Sequence, residues 1–189
     1  FPTFTINKPN LVNTINLYTR SLANNITMYD TAISSIIPIL KQRHNNIYLT
    51  GIGKCGHICK KSVSTWQSVG ISCHYLNIPD LFHGDFGILQ KGDIIIYISN
   101  SGATEELINC CKYIKENFAT LQIAITLKDS PILNNYVNLH YRIAKTDITE
   151  IDSINMAPTT SSMMFICFLD ILGVQLAELN NLTVSKFKL

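Results

Sequence analysis

Residues 94–106 read IIIYISNSGATEE, and this stretch decides the fold of the chain. Its first five residues are apolar and mostly β-branched, which is typical of a buried strand. Small polar residues around Gly102 then form a turn, and the acids that follow open a helix. The free N–H groups and positive dipole at a helix start favour an anion, and three hydroxyls stand beside them: those of Ser99, Ser101 and Thr104. The same pattern also suits an ordinary turn whose hydroxyls only cap the helix, so both interpretations stay open here.

The composition predicts one domain that buries much of its surface. Of the 189 residues, 47% are hydrophobic and 15% are charged, which predicts further burial against other subunits. Fifteen basic and thirteen acidic residues leave no basic face, so no nucleic-acid partner is expected. The longest strongly apolar stretch, residues 163–174, contains Asp170 and is too short to span a bilayer. No membrane partner and no signal peptide are therefore expected.

The six cysteines are expected to be reduced and mostly buried. They are Cys55, Cys59, Cys73, Cys110, Cys111 and Cys167. None belongs to a CxxC pair or a zinc-finger spacing. His57 stands two residues from its nearest cysteines and points elsewhere on a helix, so no metal site is predicted. Reduced thiols also favour a cytoplasmic location.

Alternating helix-like and strand-like segments predict the architecture. Apolar residues at helical spacing over residues 10–43 predict one or two long helices. Strands are predicted at 46–49, 71–76, 93–99, 121–126 and 138–143, and helices at 55–69, 104–117, 130–136 and from Pro158 to about Asn180. This order is typical of an α/β protein: a three-layer α/β/α sandwich with a five-stranded parallel sheet, flavodoxin-like. Residues 1–44 are predicted to pack as a helical segment on the domain formed by residues 45–189.

In such a sheet, ligands bind beyond the carboxyl ends of the strands. The first predicted strand is followed there by Gly53, Lys54 and Cys55, and the third by the polar turn of residues 99–104. A long irregular stretch carrying Glu150 follows the fifth. One crevice can therefore hold a phosphate, a lysine and carboxylates.

The segment GIGKCG, residues 51–56, partly matches two nucleotide-binding motifs. A P-loop requires a glycine further upstream of the lysine, which is missing. The spacing GxGxxG is present after a strand, but the acid expected about twenty residues later is replaced by CHY at residues 73–75. Nicotinamide binding is therefore disfavoured, and no cofactor is expected.

Four motifs follow one another along the chain. They are IYLTGIGKCGHICKK (47–61), LFHGDFG (81–87), IYISNSGATEE (96–106) and TEIDSINMAPTTSS (149–162). Together they resemble the SIS (sugar isomerase) domain of the arabinose-5-phosphate isomerases of the KpsF/GutQ group, over about residues 45–189. The resemblance implies phosphosugar binding, aldose–ketose interconversion without a redox cofactor, and a homotetramer whose sites are shared between subunits.

The resemblance also implies roles for individual residues. Phosphate binding falls to Ser99, Asn100, Ser101, Thr104, Thr159 and Ser161, with Gly53 and Cys55 in a substrate-binding loop. Lys54 would stabilise an enediolate, and Glu150 would carry a proton between C2 and C1. Glu106 matches a further acid, and His83 a histidine that orients the substrate or polarises its carbonyl. The ordinary alternatives are a surface lysine, a solvated loop acid, an acid at a helix start and a core histidine, respectively.

The chain departs from the family pattern at two positions, and the pattern extends beyond it. Cys55 replaces a serine, and Ala103 replaces an acid. The family pattern continues past Leu189 with an acid–base histidine in a His-Pro-Gly-Gly-like segment, whose presence would favour the enzyme. Longer members of the family continue with CBS domains, and none is expected within residues 1–189. The expected reaction converts arabinose 5-phosphate into ribulose 5-phosphate through a cis-enediol. The alternatives are a phosphosugar-binding regulatory module without catalysis, and an isomerase of another phosphosugar such as a hexulose 6-phosphate.

Overall fold

The computed structural model describes residues 10–42, 46–184 and 187, so residues 1–9 and 43–44 of the predicted N-terminal segment lie outside it. Its elements are α1 (Leu11–Ala23), α2 (Ile26–Gln42), β1 (Ile47–Thr50), α3 (Lys54–Ser68), β2 (Cys73–Leu76), α4 (Ile78–Leu81), a 3₁₀ helix (Asp85–Ile88), β3 (Ile94–Ser99), α5 (Glu105–Asn117), β4 (Leu121–Thr126), α6 (Pro131–Asn134), β5 (Leu139–Arg142) and α7 (Thr160–Leu179). Helices and strands alternate from β1 to α7, as the sequence predicts everywhere except between β2 and β3.

The five strands form one parallel sheet in the order β2-β1-β3-β4-β5. β3 lies at its centre and is buried at all six positions, because helices cover both faces of the sheet. Alternate β3 residues enter two cores: Ile96 packs with residues of α2, α3 and α7, whereas Tyr97 packs with residues of α4, α5 and α6. The predicted three-layer α/β fold with a five-stranded parallel sheet is confirmed.

The last helix, α7, is the main partner of the helices on its side of the sheet. The indole Nε1 of Trp66 on α3 donates to the carbonyl of Leu169 at 2.9 Å. Gly173 permits this approach, because a Cβ at that position would lie 2.2 Å from Nε1 of Trp66. The hydroxyl of Tyr29 on α2 likewise donates to the carbonyl of Met164 on α7, at 2.7 Å. These bonds hold α2 and α3 against one helix.

The length and apolar composition of α7, with a mean hydropathy of 1.7, would by themselves also suit a membrane span. Core helices pass the same test, and several of its large side chains are fully buried in the core beside the sheet. They are Met164, Phe165, Phe168, Leu169 and Leu172. The burial of this face explains why the helix is so apolar.

The structure differs from the sequence-based expectation in several places, of which three matter here. β2 begins at Cys73, two residues later than predicted. The segment between β2 and β3 contains α4 and a 3₁₀ helix, neither of which the sequence predicts. α7 begins at Thr160 rather than at Pro158. The last difference has its cause in the candidate site.

Candidate functional site

A cavity of about 200 Å³ opens at the carboxyl edge of the sheet, beside the ends of β1 and β3. From these neighbouring strands the chain continues into α3 on one face and α5 on the other, so the cavity lies where the connections diverge. Its lining consists of Ile52, Lys54, Cys55, Ile98, Ser99, Asn100, Ser101, Thr104, Pro158, Ser161, Ser162 and Phe165. Hydroxyl groups and one ammonium group dominate its polar side.

The turn after β3 is held by its own hydroxyl groups. The N–H of Gly102 donates to Oγ of Ser99 at 3.0 Å, and the N–H of Ala103 donates to Oγ of Ser101 at 3.2 Å. Gly102 has a φ of +63°, which glycine adopts without strain. Its carbonyl accepts a bond of 2.7 Å from Oγ of Ser130 in the next crossover. The turn is therefore fixed from both sides.

Thr104 stands at the N-cap of α5, yet within the described part of the chain its side chain makes no capping bond. The residue lines the cavity instead. The interpretation that these hydroxyls only cap the helix therefore does not hold for Thr104. The helix behind it has 13 residues, long enough for its free N–H groups and dipole to attract an anion.

The turn after β1 brings a cation to the same cavity. Gly53 has a φ of +58° and precedes the first residue of α3, Lys54, whose side chain lines the cavity. Cys55 is half-buried beside it. Burial raises the pKa of the Cys55 thiol, and a hydrogen bond with the backbone of Asn100 offsets this only in part. The thiol therefore stays neutral and adds no negative charge where an anion would bind.

Glu150 is only 8% exposed, so the interpretation as a solvated loop acid is wrong. Its Oε2 accepts three bonds: from N–H of Thr159 at 2.8 Å, from Oγ1 of Thr159 at 2.9 Å and from N–H of Ser161 at 3.2 Å. Burial raises the pKa of this carboxyl, but the hydrogen bonds from Ser161 and Thr159 outweigh it, so the pKa is lowered. Glu150 is thus an ionised carboxylate that caps the start of α7 from within the loop that precedes this helix.

The loop that carries Glu150 is ordered by side chains. Asn155 has a φ of +57°, and its Oδ1 accepts a bond of 2.6 Å from the N–H of Glu150. The carboxylate of Asp152 accepts bonds from the N–H groups of Met156 and Ala157, and these bonds lower the pKa of Asp152. These hydrogen bonds give the loop that carries Glu150 a defined conformation beside the cavity.

A second, smaller cavity of about 90 Å³ adjoins the first. Its lining consists of Asn100, Leu127, Lys128, Ile148, Glu150, Asn155, Met156 and Pro158. Asn100 and Pro158 line both cavities. The carbonyl of Asn100 also accepts bonds from the N–H groups of Leu127 at 3.2 Å and Lys128 at 3.1 Å, which join the turn after β4 to the turn after β3.

The structure brings most of the sequence-predicted site residues together. Lys54, Cys55, Ser99, Asn100, Ser101, Thr104 and Ser161 line the larger cavity, and Glu150 lines the smaller one. Gly53 directly precedes Lys54 of the larger cavity, and the N–H of Thr159 donates to Glu150 of the smaller one. Glu106 and His83 are exposed and lie outside both linings, so the interpretation of His83 as a core histidine is wrong. The roles of all these residues stay predictions.

Sequence reasoning missed Lys128. This residue stands two positions after the end of β4, and it shares the smaller cavity with Glu150. The rule that ligands bind at the carboxyl edge of the sheet applied to this strand as well. No motif covers the position, so only that rule could have indicated it.

Comparison with known proteins gives consistent results. The family model of the SIS domain matches residues 39–170. The chain is 34% identical over 145 residues to the arabinose 5-phosphate isomerase KdsD of Francisella tularensis, which covers 76% of this chain and 43% of that protein. The chain therefore spans less than half the length of this curated relative.

Two solved structures resemble nearly the whole chain. A protein of Listeria monocytogenes superposes with a TM-score of 0.78 at 27% identity, covering 93% of each chain. A protein of Escherichia coli CFT073, solved as a complex with a ligand, superposes with a TM-score of 0.77 at 25% identity, covering 94% of this chain and 97% of that one. Both share the arrangement of sheet and helices described above.

Proposed function

The chain belongs to the SIS domain family, and we propose that it is a phosphosugar isomerase that converts arabinose 5-phosphate into ribulose 5-phosphate through a cis-enediol. One observation carries the proposal: a cavity with hydroxyls and Lys54 adjoins a cavity with the ionised, buried Glu150. A phosphosugar has an anionic end and a carbon acid at the other end. The two cavities offer groups that suit each end.

The phosphate is proposed to bind in the larger cavity. Ser101 and Thr104 offer hydroxyls, and the start of α5 offers free N–H groups. The neutral thiol of Cys55 does not oppose an anion there. Each charge-assisted hydrogen bond to a phosphate is worth about 1.5–3 kcal/mol.

The proton transfer is proposed for Glu150. Its carboxylate would remove the proton from C2, and the resulting carboxylic acid would return a proton to C1, so that one group serves both steps. The hydroxyl proton of O2 would pass to O1 at the enediolate stage, which leaves the C1 hydroxyl and the C2 carbonyl of the ketose. Its lowered pKa keeps it ionised at neutral pH but makes it a weak base. Lys54 would therefore need to stabilise the negative oxygen of the enediolate for the transfer to proceed.

The proposal includes a homotetramer whose sites are shared between subunits. Exposed apolar residues on α1 and α7 support it, because such surface is usually covered in an assembly: Leu11, Val12, Ile15, Val174 and Leu179. His83 and Glu106 are exposed, so a neighbouring subunit can reach them. Light scattering coupled to size-exclusion chromatography measures the assembly, and a monomer at micromolar concentration contradicts it.

The central experiment follows the sugar directly. The protein is incubated with arabinose 5-phosphate in D₂O, and NMR monitors conversion and deuterium incorporation at C1 and C2. We expect both with the wild type, and a loss of about two orders of magnitude or more for Glu150→Gln. Glu116→Gln, an exposed acid near the end of α5, is the matched control. Folded wild-type protein that neither converts nor exchanges this sugar would contradict the proposal, and activity on a hexulose 6-phosphate alone would change the substrate.

A second candidate is a phosphosugar-binding module without catalysis. The three hydrogen bonds to Oε2 of Glu150 favour this candidate. They hold the start of α7, and this structural role alone explains why a buried carboxylate lies there. Calorimetric titration distinguishes the two. Both candidates predict weaker arabinose 5-phosphate binding for Ser101→Ala with Thr104→Ala. Only the module predicts tight binding by the wild type with no exchange in D₂O.

A further inference from the structure

Lys128 shares the smaller cavity with Glu150 but has no role in the function proposed so far. The residue follows β4, on the same edge of the sheet as the turn after β3, where the phosphate is proposed to bind. Both of its backbone polar groups are fixed: its N–H donates to the carbonyl of Asn100 at 3.1 Å, and its carbonyl accepts from Oγ1 of the buried Thr126 at 2.7 Å. The base of the side chain is therefore held firmly although the side chain itself is exposed.

Among the residues that the structure describes, no acid forms an ion pair with the ammonium group of Lys128. Within the described ranges the two side-chain ion pairs are Lys61 with Asp170 and Arg142 with Asp129. Asp129, the nearest acid along the chain, is thus already bound to Arg142 at 2.6 Å. Lys128 consequently contributes a positive charge, without an ion-pair partner in the described part of the chain, to the lining that it shares with the ionised Glu150.

The chemistry of this cavity restricts what can bind in it. The carboxylate of Glu150 would repel a second phosphate. An apolar group would displace the water around the charges of Lys128 and Glu150 without offering them hydrogen bonds in its place. A hydroxyl group suits both, because it can accept a bond from the ammonium and donate one to the carboxylate. The volume of about 90 Å³ leaves room for only a short hydroxyl-bearing segment.

We propose that Lys128 is a substrate-positioning residue, which binds hydroxyl oxygens at the end of the phosphosugar remote from the phosphate. The inference rests on the proposed function, which places the phosphate in the larger cavity. Because the two cavities adjoin at Asn100 and Pro158, one ligand can occupy both. Lys128 then holds the sugar so that its reacting carbons lie beside Glu150.

The test compares two ligands that differ in the proposed contact. Calorimetry measures the affinities of inorganic phosphate, which fills only the larger cavity, and of arabinose 5-phosphate. For Lys128→Met we expect arabinose 5-phosphate to bind about 5- to 20-fold more weakly, while phosphate affinity stays within about twofold. Lys128→Arg should retain most of the affinity. Lys41→Met, on the last turn of α2 before the amino edge of the sheet, should change neither.

Each outcome decides the inference. Equal losses for both ligands in Lys128→Met would move this lysine into the phosphate site and overturn the proposal. Unchanged affinity for arabinose 5-phosphate would overturn it too, while wild-type binding and conversion would leave the proposed function standing. If the folded wild type bound neither ligand, the proposed function would fail and the inference with it.

Discussion

Gly102→Ala is expected to destabilise the protein more than Gly70→Ala or Gly87→Ala. Alanine at a φ of +63° costs about 1–2 kcal/mol. The added Cβ would also lie 2.7 Å from Cβ of Ser130 and 3.1 Å from Cγ2 of Thr126. Overpacking of this kind costs about 1–3 kcal/mol, so we expect a loss of about 2–5 kcal/mol in the free energy of unfolding.

Two other glycines separate the two contributions. Gly70 has a φ of +85° but open space around a Cβ, so Gly70→Ala should cost only the backbone strain of about 1–2 kcal/mol. Gly87 has neither a positive φ nor a close neighbour, so Gly87→Ala should stay within about 0.5 kcal/mol of the wild type. The order of the three losses is the prediction.

Urea unfolding followed by circular dichroism measures all three variants. A loss for Gly102→Ala no larger than that for Gly70→Ala would refute the reasoning, because it would mean that the contact with Ser130 relaxes freely. Phosphate titration of the same variants adds a functional measurement. Only Gly102→Ala should bind phosphate more weakly, since only this glycine lies in the turn that lines the larger cavity.

Three further predictions concern α7. Because the pKa of Glu150 is lowered on folding, its stabilisation is complete above the unfolded glutamate pKa of about 4.3 and is lost as pH falls through the folded pKa. Glu150→Gln should therefore flatten the acid side of a urea-midpoint profile, and an unchanged profile would contradict this. Gly173→Ala should cost about 3 kcal/mol or more, because its Cβ would overlap the Trp66 indole; a loss below about 1 kcal/mol would count against that packing. Lys61→Met should change the unfolding free energy by less than about 1 kcal/mol, since its pair with Asp170 is 46% and 36% exposed, and a larger loss would show that the pair matters.

The sheet was predictable because its inner strands are short apolar runs with polar turns at both ends. Residues 121–126 were predicted as a strand and form β4 with those bounds. The segment between β2 and β3 was not predictable in the same way. Its helices have four residues each, too few to show a helical period, and Pro79 and Gly84 interrupt the pattern.

The larger cavity was predictable in outline, since its lining comes from turns directly after strands. The capping of the start of α7 by Glu150 was not predictable. Pro158 suits a first helical position, which explains the predicted start. In the structure, Glu150 binds the N–H groups of Thr159 and Ser161 from positions 9 and 11 residues earlier, and the helix begins at Thr160. A bond across an irregular loop leaves no periodic signal in the sequence.

The carbonyl of Asn100, in the turn after β3, accepts bonds from the N–H groups of Leu127 and Lys128, which belong to a different crossover. Hydrogen-bonded amides exchange their protons with solvent only when the structure opens locally. The exchange rates of these two amides therefore report how often the turn after β3 separates from the turn after β4. An anion that steadies the turn should slow both rates, so site occupancy can be followed by NMR or mass spectrometry with an unlabelled ligand.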